Sequence, residues 1–293
     1  MNEDRDTPEG IFFALGAFGI WGFLPIYLKL VDHIGAVEVV AHRVIWSVPV
    51  AGAVLIALRR TDTLREAVRD PGTLLMGVVT ATLISINWGV YVYAISTDQA
   101  VQAALGYYIN PLFSVLMGAL VLRERLDPLQ WAAIGLAFCA VLVLTLDAGE
   151  VPLMALVLTL SFGFYALAKK QLPIGPNQGF LLEVLILSIP ALAYIFWMEA
   201  SAEGAFAENA WLLLGCGVVT AVPLMLYANG AKRLKLSTIG IMQYIAPTMI
   251  LVIAVFLFEE PFGRARAIAF PMIWIALGLY SISLFRQVRR ARV

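Results

Sequence analysis

The sequence predicts an all-α integral membrane protein in which ten transmembrane helices form two inverted five-helix repeats with both termini cytoplasmic. Three observations lead there: the composition, a series of membrane-length apolar runs, and a one-sided distribution of basic residues. Of 293 residues, 61% are apolar and 14% charged, and mean hydropathy is +0.87. Soluble domains run near about 45–50% and about 25%, and a water-facing globule of this size cannot hide so much apolar surface. Lys plus Arg and Asp plus Glu both number 20, so no basic excess points to nucleic acid. The two cysteines, Cys139 and Cys216, lie in apolar runs without CxxC spacing. That excludes a disulfide framework and a cysteine metal site, leaving packing as their expected role.

Runs of about 20 apolar residues are long enough to cross a hydrocarbon core of roughly 30 Å as helices. Residues 1–9 carry acidic groups rather than a basic n-region, so they form a short cytoplasmic N-terminus and the first span, 10–28, is retained. The further spans are 36–58, 72–95, 99–122 and 128–146, completing a first repeat over 10–146. Spans 152–168, 178–198, 210–230, 236–258 and 263–285 make a second repeat over 152–285, followed by a basic cytoplasmic tail at 286–293. Connections are short and leave no room for a separate soluble domain.

Lys and Arg in short loops stay cytoplasmic. With the amino terminus inside, that face receives Arg5, Arg59, Arg60, Arg65, Arg69, Arg123, Arg125, Lys169, Lys170, Lys232, Arg233, Lys235, Arg286, Arg289, Arg290 and Arg292, which is 16 of the 20. The outer side keeps Lys29, Arg264 and Arg266, while Arg43 lies within the second span. One span more or fewer scrambles this pattern.

The segments Gly106-Tyr107-Tyr108-Ile109-Asn110-Pro111 and Met242-Gln243-Tyr244-Ile245-Ala246-Pro247 superpose at an offset of 136, which also places Glu124 on Glu260 and Tyr91 on Tyr227. Five spans is an odd number, so the second half enters the membrane in the opposite sense to the first. Inverted repeats of this kind build secondary transporters that expose a midplane site to each side in turn.

These residues, with Ile20-Trp21-Gly22, His42-Arg43-Val44-Ile45-Trp46-Ser47 and Asn87-Trp88, resemble the RarD-type permeases of the EamA branch of the drug/metabolite transporter superfamily. The resemblance runs from Gly10 to about Phe285. It implies a carrier in a bacterial inner membrane, with spans one to four and six to nine around a cavity and spans five and ten outside as scaffold.

Polar groups at mid-membrane are expensive, so they face a cavity or another helix. Candidate substrate-binding residues are Trp21, Arg43, Asn87, Trp88, Tyr91, Tyr107, Tyr108, Asn110, Tyr227, Gln243 and Tyr244. Rings offer contact area and cation stacking, and amides fix orientation, which suits a small amphipathic solute. The alternative for each is a tie between helices. Glu38, His42 and Glu183 are candidates for proton coupling, and the resembled carriers also have an arginine in the helix that holds Arg43. Pro111 and Pro247 remove backbone hydrogen bonds and are candidate hinges.

The expected function is therefore a secondary carrier of metabolites or drugs, monomeric or homodimeric among membrane lipids, with no cofactor or metal. The competing readings are a flippase and a membrane enzyme for lipid-linked substrates. With only His33 and His42 present, HExxH cannot be built, and GxSxG and a Walker loop are missing.

Overall fold

The structure, a computed structural model, describes residues 7–57, 62–121, 126–149, 151–231, 233–234, 238 and 242–290. Arg5, Arg59, Arg60, Arg123, Glu124, Arg125, Lys232, Lys235 and Arg292 lie outside the described residues, as do the side chains of Arg65, Lys170, Arg289 and Arg290. The helices are α1 (Pro8–Lys29), α2 (Ala36–Ala57), α3 (Asp62–Arg69), α4 (Pro71–Ser96), α5 (Ala100–Val121), α6 (Pro128–Ala148), α7 (Leu153–Gln171), α8 (Pro176–Ala200), α9 (Phe206–Ala231), α10 (Ile245–Phe256) and α11 (Arg264–Arg290). No strand occurs among the described residues.

Seven of these helices, α1, α2, α4, α6, α8, α9 and α11, are long and apolar enough to cross a membrane, and α7 and α10 carry shorter apolar stretches. The sides facing outward are apolar: Trp211 is 87% exposed and Phe12 82%. The interior instead holds Glu38, His42, Arg43, Asn87 and Glu183, each at 3% exposure or less. A multi-pass membrane protein in lipid has this distribution.

Helix starts follow local chemistry. Thr7 accepts a hydrogen bond from Gly10 N, Asp70 from Thr73 N and Asp127 from Gln130 N, and each cap precedes a proline at the first helical position. Those two residues satisfy or dispense with amides that have no helical partner. Hydrogen bonds from Thr73, its hydroxyl first, hold the Asp70 carboxyl below its ordinary value. Gly149, at φ 68°, ends α6 in the left-handed region that favours glycine. The short polar helix α3 was not expected; among its described side chains, Leu64 and Ala67 mark an inward side.

One end of the bundle collects the α1–α2, α4–α5, α8–α9 and α10–α11 connections. There Lys29 Nζ meets Asp98 at 2.8 Å and Asp32 at 3.2 Å, and His33 Nε2 lies 3.1 Å from Asn209 Oδ1. The α6–α7 connection joins them at a cavity of about 530 Å³ between Gln102, Asp147, Pro152 and Arg266. The opposite end carries Thr7 beside Arg233, Ser283 donating to Asp127, and a second cavity of about 500 Å³ between Asp70 and the α7–α8 turn. Lys29 and Asp98 form an exposed ion pair at the first of these ends.

Packing is reciprocal. Helix α1 packs on α9 and α10 as α7 packs on α4 and α5; α2 packs on α9 as α8 does on α4; α2 meets α8, α5 meets α10, and α6 meets α11. Exchanging α1, α2, α4, α5 and α6 with α7, α8, α9, α10 and α11 maps this set of contacts onto itself. The same exchange holds at the side-chain level. Phe113 of α5 covers Gly163 of α7, and Met249 of α10, 136 residues later, covers Gly22 of α1. Neither glycine leaves room for a Cβ. Cys216 is buried, but Cys139, expected to pack inside, is exposed on α6 because its side of that helix faces outward.

Candidate functional site

A buried polar assembly lies where α2, α4, α5, α7 and α9 meet. Arg43 of α2 is 3% exposed, and its Nε donates to Thr220 Oγ1 of α9 at 3.0 Å. Its guanidinium lies over the Trp88 ring of α4 at 5.2 Å. Nη1 is buried and has no hydrogen-bond partner. The groups in electrostatic contact with Arg43 are Cys216, Tyr107, Tyr91 and Tyr27, none of them a carboxylate.

One helical turn from Trp88, Tyr91 meets Tyr107 edge-on, with ring centroids 5.5 Å apart, and its buried hydroxyl has no partner. Asn87 is 1% exposed; its Nδ2 donates to Leu158 O at 3.1 Å and Ser161 Oγ at 3.0 Å, and its Oδ1 accepts from Tyr107 OH at 3.2 Å. Asn87 thus ties α4 to α7 and α5, and it orients Tyr107 toward the arginine's neighbourhood. Aromatic contacts continue from Tyr107 through Phe162 to Tyr165.

The other expected residues fall into separate groups. Trp21 and Tyr227 join Phe18 in a triangle with centroids 5.7–5.9 Å apart, on α1 and α9. Tyr108 points away from Tyr107, being next to it on the helix; its hydroxyl shares a 2.7 Å hydrogen bond with Thr248 of α10, and its ring meets Phe270 of α11. Asn110 is buried on α5. Gln243 and Tyr244 form a turn just before α10.

That turn alters the reading of the two prolines. Pro111 lies inside a continuous α5, while Pro247 is in the first turn of the described α10, where its missing amide costs no helical hydrogen bond. The matched motifs therefore have different conformations in the two halves.

The coupling candidates are likewise apart. Glu38 accepts a 2.7 Å hydrogen bond from Ala205 N, just before α9. Trp46 Nε1 donates to His42 Nδ1 at 3.2 Å, leaving the proton on Nε2, which is buried without a partner; the imidazole stacks on Phe206 at 5.3 Å. Glu183 pairs with Lys169 Nζ at 2.6 Å and accepts from Tyr165 OH at 3.2 Å. Lys169, assigned from sequence to the cytoplasmic face, is drawn inward by that carboxylate.

Sequence reasoning missed Thr220, Phe206 and Thr248. Thr220 and Thr248 are single hydroxyls in apolar helices, and Phe206 lay outside the expected span, so none carried a signal of its own. Neither of the two cavities above includes any of the expected site residues.

This arrangement defines a class: a multi-pass helical membrane protein with a cationic and aromatic interior and a reciprocal packing of two halves. The EamA-like transporter family matches residues 8–146 and again residues 151–282. Protein RarD of Streptomyces exfoliatus is 40% identical, covering 100% of this chain and 94% of that protein. The uncharacterized transporter YojE of Bacillus subtilis is 40% identical over 99% of both chains, and protein RarD of Escherichia coli is 36% identical over 98% of both. A crystal structure aligns with TM-score 0.61 at 21% identity, over 92% of this chain and 96% of the other, a likeness of fold alone. The chain belongs to the EamA-like transporter family, as a RarD-type permease, and is a membrane transporter.

Proposed function

We propose that the protein is a secondary carrier that moves small amphipathic organic molecules, metabolites or drugs, across a bacterial inner membrane by alternating access. Its ten spans form two inverted five-helix repeats, 10–146 and 152–285, with both termini cytoplasmic. The observation that carries the reading is the reciprocal packing: the two stretches matched by the family exchange onto one another, down to the Phe113–Gly163 and Met249–Gly22 pairs. Two like halves that adopt different conformations, as at Pro111 and Pro247, give a carrier two states of similar energy. Exchange of those conformations opens the interior to the other side.

The interior supports a carrier rather than a membrane enzyme. Rings and a guanidinium line it, and no group of three or more metal-binding side chains occurs among the described residues. The proton-coupling role is best kept for His42, whose Nε2 proton is buried and unpartnered, since Glu38 and Glu183 already hold partners.

Solute counterflow into proteoliposomes tests the proposal. Vesicles loaded with a mixture of amphipathic metabolites are expected to accumulate trace label of the same solute transiently, with no added nucleotide. Absence of counterflow for every solute, with protein shown to be folded, rejects the carrier reading.

A further inference from the structure

Among the described residues the buried Arg43 has no counter-charge. A guanidinium this deep in a membrane protein is costly unless it is paired. Arg43 makes one hydrogen bond, through Nε to Thr220, and one ring contact, with Trp88. Its Nη1 is buried and unsatisfied, and the groups in electrostatic contact with it are three tyrosines and a cysteine. Two buried carboxylates on α2 and α8 are engaged elsewhere: Glu38 with Ala205 N, and Glu183 with Lys169 and Tyr165. Among the described residues, no carboxylate is paired with this buried guanidinium.

We propose that Arg43 is the anion-binding group of the transport site, and that the carried solute bears a carboxylate or a comparably small oxyanion attached to an apolar or aromatic body. This rests on the carrier reading above. A guanidinium presents a planar fork of donors that fits a carboxylate in two-point contact. Here the Nε edge is held by Thr220 and Nη1 is left to the ligand. The Tyr91 hydroxyl, also buried and unpartnered, supplies a further donor beside it. Trp88, Tyr91 and Tyr107 offer faces and edges to the apolar body, and Asn87 fixes Tyr107 from behind. In this arrangement Arg43 is sealed from solvent at 3% exposure, so the solute reaches it when the halves move.

A matched set of probes decides the matter: phenylacetate, phenylacetamide and phenethylammonium, which share a ring and differ in charge, added to the purified full-length protein in detergent. Phenylacetate is expected to raise the unfolding temperature by several degrees, saturably, while the amide and the amine do not. Phenylacetate is also expected to compete for counterflow. Arg43→Met is expected to lose the response to phenylacetate and, being relieved of an unpaired charge, to unfold no lower than the parent. Equal shifts from acid and amide, no shift from the acid, or an undiminished response in Arg43→Met overturns the inference. If Arg43→Met fails to fold, the acid–amide contrast in the unaltered protein decides alone. Counterflow of neutral or cationic solutes but not of anions rejects the anion site while leaving the carrier intact; no counterflow at all rejects the carrier.

Discussion

Glu183 is fully buried yet ionically paired, and its energetics follow from that pairing. Its Oε1 lies 2.6 Å from Lys169 Nζ, Tyr165 OH donates to Oε2, and the ammonium also lies 5.5 Å from the Tyr165 ring. Breaking such a pair leaves one charge buried alone, at a cost of about 3–5 kcal/mol, whereas replacing both members by apolar residues is often neutral. Glu183→Gln is therefore expected to lower the unfolding temperature in detergent strongly, and the Glu183→Leu, Lys169→Met double variant to recover most of the loss. A double variant whose loss equals the sum of the Glu183→Leu and Lys169→Met losses argues that the pair is not coupled. At this scale the sequence was partly legible. The expense of burying Arg43, Asn87 and Glu183 announced that each had a reason to be inside. Which reason could not be read, because the partners Thr220, Leu158, Ser161 and Tyr165 are far away in the chain or silent in composition. Asn87 illustrates the gap: expected to contact solute, it spends its amide on Leu158, Ser161 and Tyr107.

Elements are joined by caps borrowed from other elements. The first amides of α5 have no helical acceptor, and Glu260, from the α10–α11 connection, supplies one: its carboxylate accepts from Ala100 N at 2.6 Å and Val101 N at 2.9 Å. Burial raises the Glu260 carboxyl above its ordinary value of 4.5; the two amides and Arg266 oppose this, and Asp98 adds to it. A carboxyl raised in the folded state binds its proton more tightly there than in the unfolded chain. Its contribution is therefore complete below the ordinary value and is lost as pH rises through the raised one. Thermal unfolding in detergent is expected to show stability declining across that window, and Glu260→Gln to flatten the decline. An unchanged pH profile in the variant contradicts the assignment. The seven membrane-length helices were legible at this scale because hydropathy and helix length are both local. The polar helix α3 and the break before Pro247 were not, since one depends on docking of Leu64 and Ala67 and the other on conformation that a matched motif does not fix.

For the whole molecule, the question is which contacts must part for the interior to open. At the end that collects α1–α2 and α8–α9, the halves are joined by the His33–Asn209 hydrogen bond, by Glu38 with Ala205 N, and by Tyr27 donating to Leu212 O. Under the proposed topology this is the periplasmic side, and these contacts hold it shut around the Arg43 region. A carrier that alternates must break them once per cycle; a scaffold or an enzyme with a fixed site need not. Cysteines at His33 and Asn209, in a background where Cys139 and Cys216 are replaced by alanine, test this directly when joined by a short reducible thiosulfonate linker. The linked protein is expected to lose counterflow, and cleavage of the linker by reductant to restore it, while solute binding detected by unfolding temperature survives wherever the site stays open to the other face. Full transport by protein shown to be linked means that these two connections need not separate, and that the halves do not exchange conformations about this seam.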